Sequence, residues 1–210
     1  MTYLQLVNKV LVRLRENEVT TVGENSYSKL IGEYVNDAKR SVENAWDWTG
    51  LRNTLTVDTQ ANVFNYVLTD ADNTIKILDV TNDSNNFFLQ YRASQWFDNA
   101  FLDFASVPKG TSQYYSINGI NGVDLYPIPD KAYTLRFNVV LRTTDFTNDT
   151  DPLNIPFNPV VRLATALAAR ERGETGGTSA AELFALADAS MADAIAMDAA
   201  LHPEETIWYS

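Results

Sequence analysis

The sequence predicts an α+β protein: a helical bundle base with an inserted antiparallel β-rich domain. Two N-terminal and two C-terminal helices make the base. Three observations predict this. Apolar residues repeat at helical spacing through the first fifty positions, alternate through the middle of the chain, and return to helical spacing near Asn158. The expected domains are 1–50 with 157–202 as the helical bundle, 51–156 as the β-rich insertion, and 203–210 as a C-terminal docking tail.

The first helix follows from Leu4, Val7, Leu11 and Leu14, with Val10 alongside. Arg13 and Arg15 near its end suit the negative pole of the helix dipole. Val19–Gly23 connects it to a longer helix. There Tyr27, Leu30, Ile31, Tyr34, Val35, Ala38, Val42, Ala45 and Trp46 form one broad stripe. Lys29, Glu33, Lys39, Arg40 and Glu43 fall mostly off that stripe. Asn25, Ser26 or Ser28 can cap its start. A stripe this long needs further helices to cover it, from this chain or from a neighbour.

After Trp46-Asp47-Trp48-Thr49-Gly50 the period becomes alternating. Thr54–Val57, Val63–Leu68, Ile75–Val80 and Phe87–Arg92 predict strands. Turn formers separate them at 58–62, at Asp70-Ala71-Asp72-Asn73 and at 82–86. A short helix is expected over Ser94–Phe104, with Phe97, Phe101 and Phe104 on one side. Strands resume at Gln113–Ile117, Val123–Tyr126 and Tyr133–Arg142. In the last of these, Leu135, Phe137, Val139 and Leu141 face one way, with Val140 the exception. The segment 145–156 predicts a polar connection. Asn158-Pro159 then predicts an N-cap and a first helical position, with Gly173 ending that helix. Gly176-Gly177 predicts a joint, and Ser179-Ala180-Ala181-Glu182 a capping box. The final Ala-rich helix is expected to run to about Leu201 and to stop before Pro203.

The chain has 210 residues and a formal net charge of −11. Such acidity disfavours wrapping nucleic acid or binding anionic membranes, because both interactions draw on Lys and Arg. It favours solubility, and it would let DNA pass without sticking. Cysteine is absent, which excludes disulfides, thiolate catalysis and Cys-based zinc sites. The start lacks the pattern of a secretory signal, and no apolar run reaches membrane-spanning length. Asn82-Asp83-Ser84 and Asn148-Asp149-Thr150 match glycosylation sequons but read as turn chemistry.

Enzymatic chemistry has little to stand on. His202 is the only histidine and reads as a helix C-terminal cap or a surface residue. The stretch Gly173–Ser179 lacks the Lys of a phosphate loop and joins helix to helix. Neither the 70–73 cluster nor the 145–151 cluster has the Gly and terminal Glu of an EF-hand loop. Asp188, Asp193 and Asp198 recur every fifth residue, so they spread around the last helix rather than forming a metal face. No catalytic, cofactor-binding or metal-ligating residue is assigned, and the expectation is a non-enzyme without a cofactor. Trp46 and Trp48 are expected to fix the junction between base and insertion. Ile207, Trp208 and Tyr209 are large apolar groups beyond the last helix, which suit docking on a partner or folding back on the base.

The order of these features resembles a known family. Leu6-Val7-Asn8-Lys9-Val10-Leu11-Val12-Arg13-Leu14-Arg15-Glu16 opens it. Tyr34-Val35-Asn36-Asp37-Ala38-Lys39-Arg40 and Trp46-Asp47-Trp48 follow. Val123–Asp130, Tyr133–Val140, the Ala-rich helix and Pro203–Trp208 complete it. The set looks like head-to-tail adaptor proteins of short-tailed bacteriophages (podoviruses), also called tail tubular protein A. The resemblance implies a homo-oligomeric ring, a dodecamer, in the virion at the head-tail junction. The ring would join the phage portal protein to the tail nozzle protein, with genomic DNA passing through and no membrane involved. It would be assembled in the host cytoplasm. The insertion would meet the nozzle or tail fibres, and Ile207, Trp208 and Tyr209 are candidate portal contacts. Two other readings are a neck plug that completes the head, and a glycan-binding module using Tyr91, Trp96, Tyr114 and Tyr115.

Overall fold

The computed structural model describes residues 1–69, 73–102, 107–119, 121–172 and 178–202. The architecture is mixed α+β, with helices at both ends of the chain and two antiparallel-rich sheets between them. The chain divides into two compact units. Met1–Leu51 and the stretch from Asp145 onward form one; Arg52–Thr144 forms the other.

The helical unit begins with α1 (Tyr3–Arg13) and α2 (Ser26–Ala45). Each opens on a capping box. Thr2 caps α1 with Gln5 answering, and Asn25 caps α2 with Ser28 answering. Leu6, Val7, Val10 and Leu11 of α1 are fully buried, as are Ile31, Val35, Ala38 and Val42 of α2. Each large side chain of this kind contributes about 1.5–3 kcal/mol through burial. The two helices approach closely where Gly32 faces the Tyr3 hydroxyl. A Cβ there would overlap that hydroxyl and lie 2.9 Å from Val22 Cγ1. Lys39 and Glu43, expected off the apolar stripe, are in fact buried and paired with each other at 3.1 Å. The stripe is therefore wider than the apolar letters alone predict.

The chain returns to this unit at Asp145. Asn36 on α2 receives it: its amide donates to the Phe146 carbonyl at 3.2 Å, and its oxygen accepts from the Phe146 N–H at 2.9 Å. Arg40 bridges Asp37 and Asp145, and Lys39 Nζ lies 5.2 Å from the Phe146 ring centroid. The motif residues Asn36, Asp37, Lys39 and Arg40 thus fasten the returning strand of chain. Next comes α4 (Phe157–Glu171), preceded in the other unit by α3 (Ser94–Leu102). Its N-cap is Pro156 with no side-chain cap bond, so Asn158 and Pro159 lie inside the first turn rather than at its edge. Pro159 is tolerated there because first-turn N–H groups have no intrahelical acceptor. The last helix, α5 (Thr178–Ala199), already includes Ser179, which is therefore not its N-cap. The joint at Gly176-Gly177 and the stop at Pro203 lie outside the described residues.

The other unit holds two four-stranded sheets. In chain order its strands are β1 (Arg52–Asp58), β2 (Asn65–Val67), β3 (Thr74–Asn82), β4 (Phe87–Phe88), β5 (Gln90–Tyr91), β6 (Tyr114–Asn118), β7 (Gly122–Tyr126) and β8 (Thr134–Arg142). One sheet has the order β1-β8-β3-β4 and the other β2-β7-β6-β5. Val80, Leu89, Val123, Leu125, Leu135, Phe137 and Val139 form the shared core. Val140 is also fully buried, so both faces of β8 are covered at that point. The run Phe87–Arg92, expected as one strand, changes sheet halfway. Phe87 and Phe88 pair with β3, the Leu89 N–H donates to Val80, and Gln90 and Tyr91 pair with β6 in parallel. Buried Leu89 is the pivot, since its side chain fills the core from which both sheets draw.

Candidate assembly surface

The last helix is the least covered element of the helical unit. It packs on α4, yet Ala187 is its only buried side chain among those described. Leu183, Phe184, Met191, Ala194 and Ile195 are half-buried on the inner side. Ala181, Ala185, Ala189, Ala192 and Ala196 are exposed, with Leu186 at 51% and Met197 at 75%. Leu201, just past the helix, is also open to solvent. An apolar helix left this bare is unusual for an isolated subunit, because burial of one face is what stabilises most helices.

Two concavities flank this helix. The first, about 640 Å³, is lined by Arg13, Leu14 and Arg15 from the end of α1, Arg162 from α4, and Leu183 and Leu186 from α5. The second, also about 640 Å³, lies between the start of α4 and the later turns of α5, with Phe157, Met197 and Leu201 on its walls. Arg162 lines both, and its guanidinium donates to the Leu186 carbonyl at 3.3 Å. Desolvation and the nearby Arg162 charge hold the Arg13 pKa below its ordinary value. Arg172, at the C-cap of α4, is already engaged by Glu16, the Leu14 carbonyl and the face of Tyr27.

The junction residues are also placed. Trp48 is fully buried and its indole N–H donates to the Val42 carbonyl at 2.7 Å. The Asp198 carboxylate accepts from the Trp46 indole at 3.0 Å and from the Thr49 N–H at 3.1 Å. Asp198 is thus not a solvating residue like Asp188 and Asp193; it ties α5 to the end of α2. His202 Nε2 lies 2.8 Å from the Thr49 hydroxyl and extends the same tie. Sequence reasoning missed Asp198, since nothing in its spacing sets it apart from the other two.

The aromatics considered for glycan binding do not form an open platform. Tyr115 is a core residue, and only Tyr91 of the four is exposed. Trp96 and Tyr114 pack on each other at 4.9 Å between centroids, and the Arg92 guanidinium lies 5.7 and 5.3 Å from the two rings. Among the described residues there is no group of three or more His, Cys, Asp or Glu able to hold a metal ion. No described helix is long and apolar enough to cross a membrane. Ile207, Trp208 and Tyr209 lie outside the described residues, as does most of the Gly173–Ser179 stretch.

No curated protein matches the chain. The family model for the SU10 adaptor protein does, over residues 1–204. It therefore spans both units and stops short of Ile207, Trp208 and Tyr209. The chain belongs to the SU10 adaptor protein family, a family of structural phage head-to-tail adaptors rather than of enzymes.

Proposed function

We propose that this adaptor is a ring-forming subunit that joins the portal to the tail nozzle and lines the DNA passage. Twelve copies close the ring, as in the podovirus adaptors that the sequence resembles. The helical unit makes the ring, and the β-rich insertion meets the nozzle or the tail fibres. Ile207, Trp208 and Tyr209 reach the portal. Assembly takes place in the host cytoplasm, before genome ejection through the finished tail.

The observation that carries this reading is the bare outer face of α5. A helix of exposed Ala, Leu and Met offers close backbone approach to a neighbour. Ring closure requires such a heterologous contact, in which one patch meets a different patch on the next copy. The net charge of −11 supports the DNA passage, since an acidic lining would not retain the phosphate backbone.

Electron microscopy of the purified protein mixed with portal tests the reading. Portal-bound rings with an open bore are expected, and persistent monomers beside bare portals would refute it. Deleting Ile207–Ser210 is expected to weaken portal attachment with the helical content unchanged. Undiminished attachment in a pull-down would remove the tail from the portal contact.

A further inference from the structure

Among the described residues, none fills the basic concavity. Arg13, Arg15 and Arg162 converge on it, and no ion pair to a described residue engages any of them. In a chain of net charge −11, three such cations in one groove run against the overall charge. The groove also has a leucine wall, Leu14, Leu183 and Leu186. Its chemistry thus calls for a partner that is acidic and apolar together. Nucleic acid meets only the first requirement.

We infer that this groove receives the α5 helix of a second copy of the chain, so that each subunit offers α5 on one side and accepts a neighbour's on the other. This rests on the ring reading and names its contact. The charge complementarity is direct. The only charged residues of α5 are Glu182, Asp188, Asp193 and Asp198. Asp198 is engaged inside the subunit and Asp193 lines the second concavity, whereas Glu182 and Asp188 are exposed. Asp188 stands among Ala181, Ala185 and Ala192, whose small side chains let the helix approach until its carboxylate reaches an arginine. The second concavity lies further along α5, from the level of Ala189 to that of Leu201, and shares Arg162 with the first. The contact would bury the exposed Leu186 and Met197 and relieve the repulsion between Arg13 and Arg162.

The absence of cysteine makes a direct test clean. A Leu14→Cys variant marks the groove and an Ala185→Cys variant marks the outer face of α5. The two are mixed, with portal present, and treated with a short bifunctional maleimide. Crosslinks between the two variants are expected to exceed those within either one several-fold. They should disappear when the Leu14→Cys partner also carries Arg13→Glu and Arg15→Glu. They should return when the Ala185→Cys partner then carries Asp188→Lys, with circular dichroism confirming that every variant is folded. Rings that form without the mixed crosslink would overturn this contact and leave the ring reading standing. If neither rings nor crosslinks form, the ring reading falls and this inference falls with it.

Discussion

Replacing Lys39 by Met should destabilise the helical unit by about 3–5 kcal/mol, although Met fills much the same space. The side chains of Lys39 and Glu43 are 2% and 5% exposed, and the charged atoms are 3.1 Å apart. At that burial the surface range of about 0–1 kcal/mol does not apply. Removing the ammonium takes a positive charge from 3.1 Å beside a carboxylate that stays buried, and that penalty sets the magnitude. For a chain of this size, about 2–4 °C accompanies each kcal/mol, so the melting temperature should fall by about 6–20 °C. Circular dichroism at the helix band reads this out. The double variant Lys39→Met with Glu43→Leu removes both charges and should recover most of the loss, or exceed the native stability. A single variant within about 0.5 kcal/mol of native would refute the burial argument. A double variant no better than the single would show that the damage comes from packing and not from the lost ion pair.

Further outcomes follow from other contacts. Gly32→Ala should cost about 1–3 kcal/mol by overpacking, and adding Tyr3→Phe should recover part of it by removing the hydroxyl that a Cβ would overlap; urea denaturation of the two variants checks both. Asp198→Ala strands the Trp46 indole and the Thr49 N–H, so a loss of about 1–3 kcal/mol and a change in tryptophan emission are expected. Burial, then the charges of Glu33, Asp145 and Asp149, push the Tyr3 pKa from 10.0 up to about 12. A raised folded-state pKa gives stability that is fully present below pH 10 and is lost as pH rises toward about 12. Tyr3→Phe should flatten that part of the pH–stability curve, and an unchanged slope would count against the burial of this hydroxyl.

Much of the fold was legible because apolar periodicity is a local signal. Val7, Val10 and Leu11 announce α1, and Leu135, Phe137 and Val139 announce β8. What escaped depends on partners distant in sequence. Lys39 and Glu43 look like solvent residues until each is seen to neutralise the other beneath Phe146, more than a hundred positions on. The Phe87–Arg92 run looks like one strand because nothing local reveals that Leu89 must point into a core between two sheets. Asp198 is indistinguishable from Asp188 and Asp193 by spacing, and only the chain's return beside Trp46 singles it out. The candidate surface was partly legible. The Ala content of α5 pointed to close packing by other backbones, whereas the convergence of Arg13, Arg15 and Arg162 requires the end of α1 to meet α4.

The pairing of β1 with β8 has a consequence for how the helical unit comes together. Arg52 lies opposite Val140, so the insertion enters and leaves through neighbouring strands. Before that pair forms, joining α2 to the segment at Asp145 means closing a loop of the whole stretch Arg52–Thr144. Once it forms, only Leu141–Thr144 remains outside the ladder. The effective loop is then about four doublings shorter, which lowers the closure entropy by about 2.5 kcal/mol. A β-unit that folds first therefore acts as a staple on the interrupted bundle. The same geometry makes the insertion a cassette. Strands and turns between β1 and β8 can lengthen, shrink or be exchanged for others, and the helices will still find each other provided the stem of the hairpin is kept.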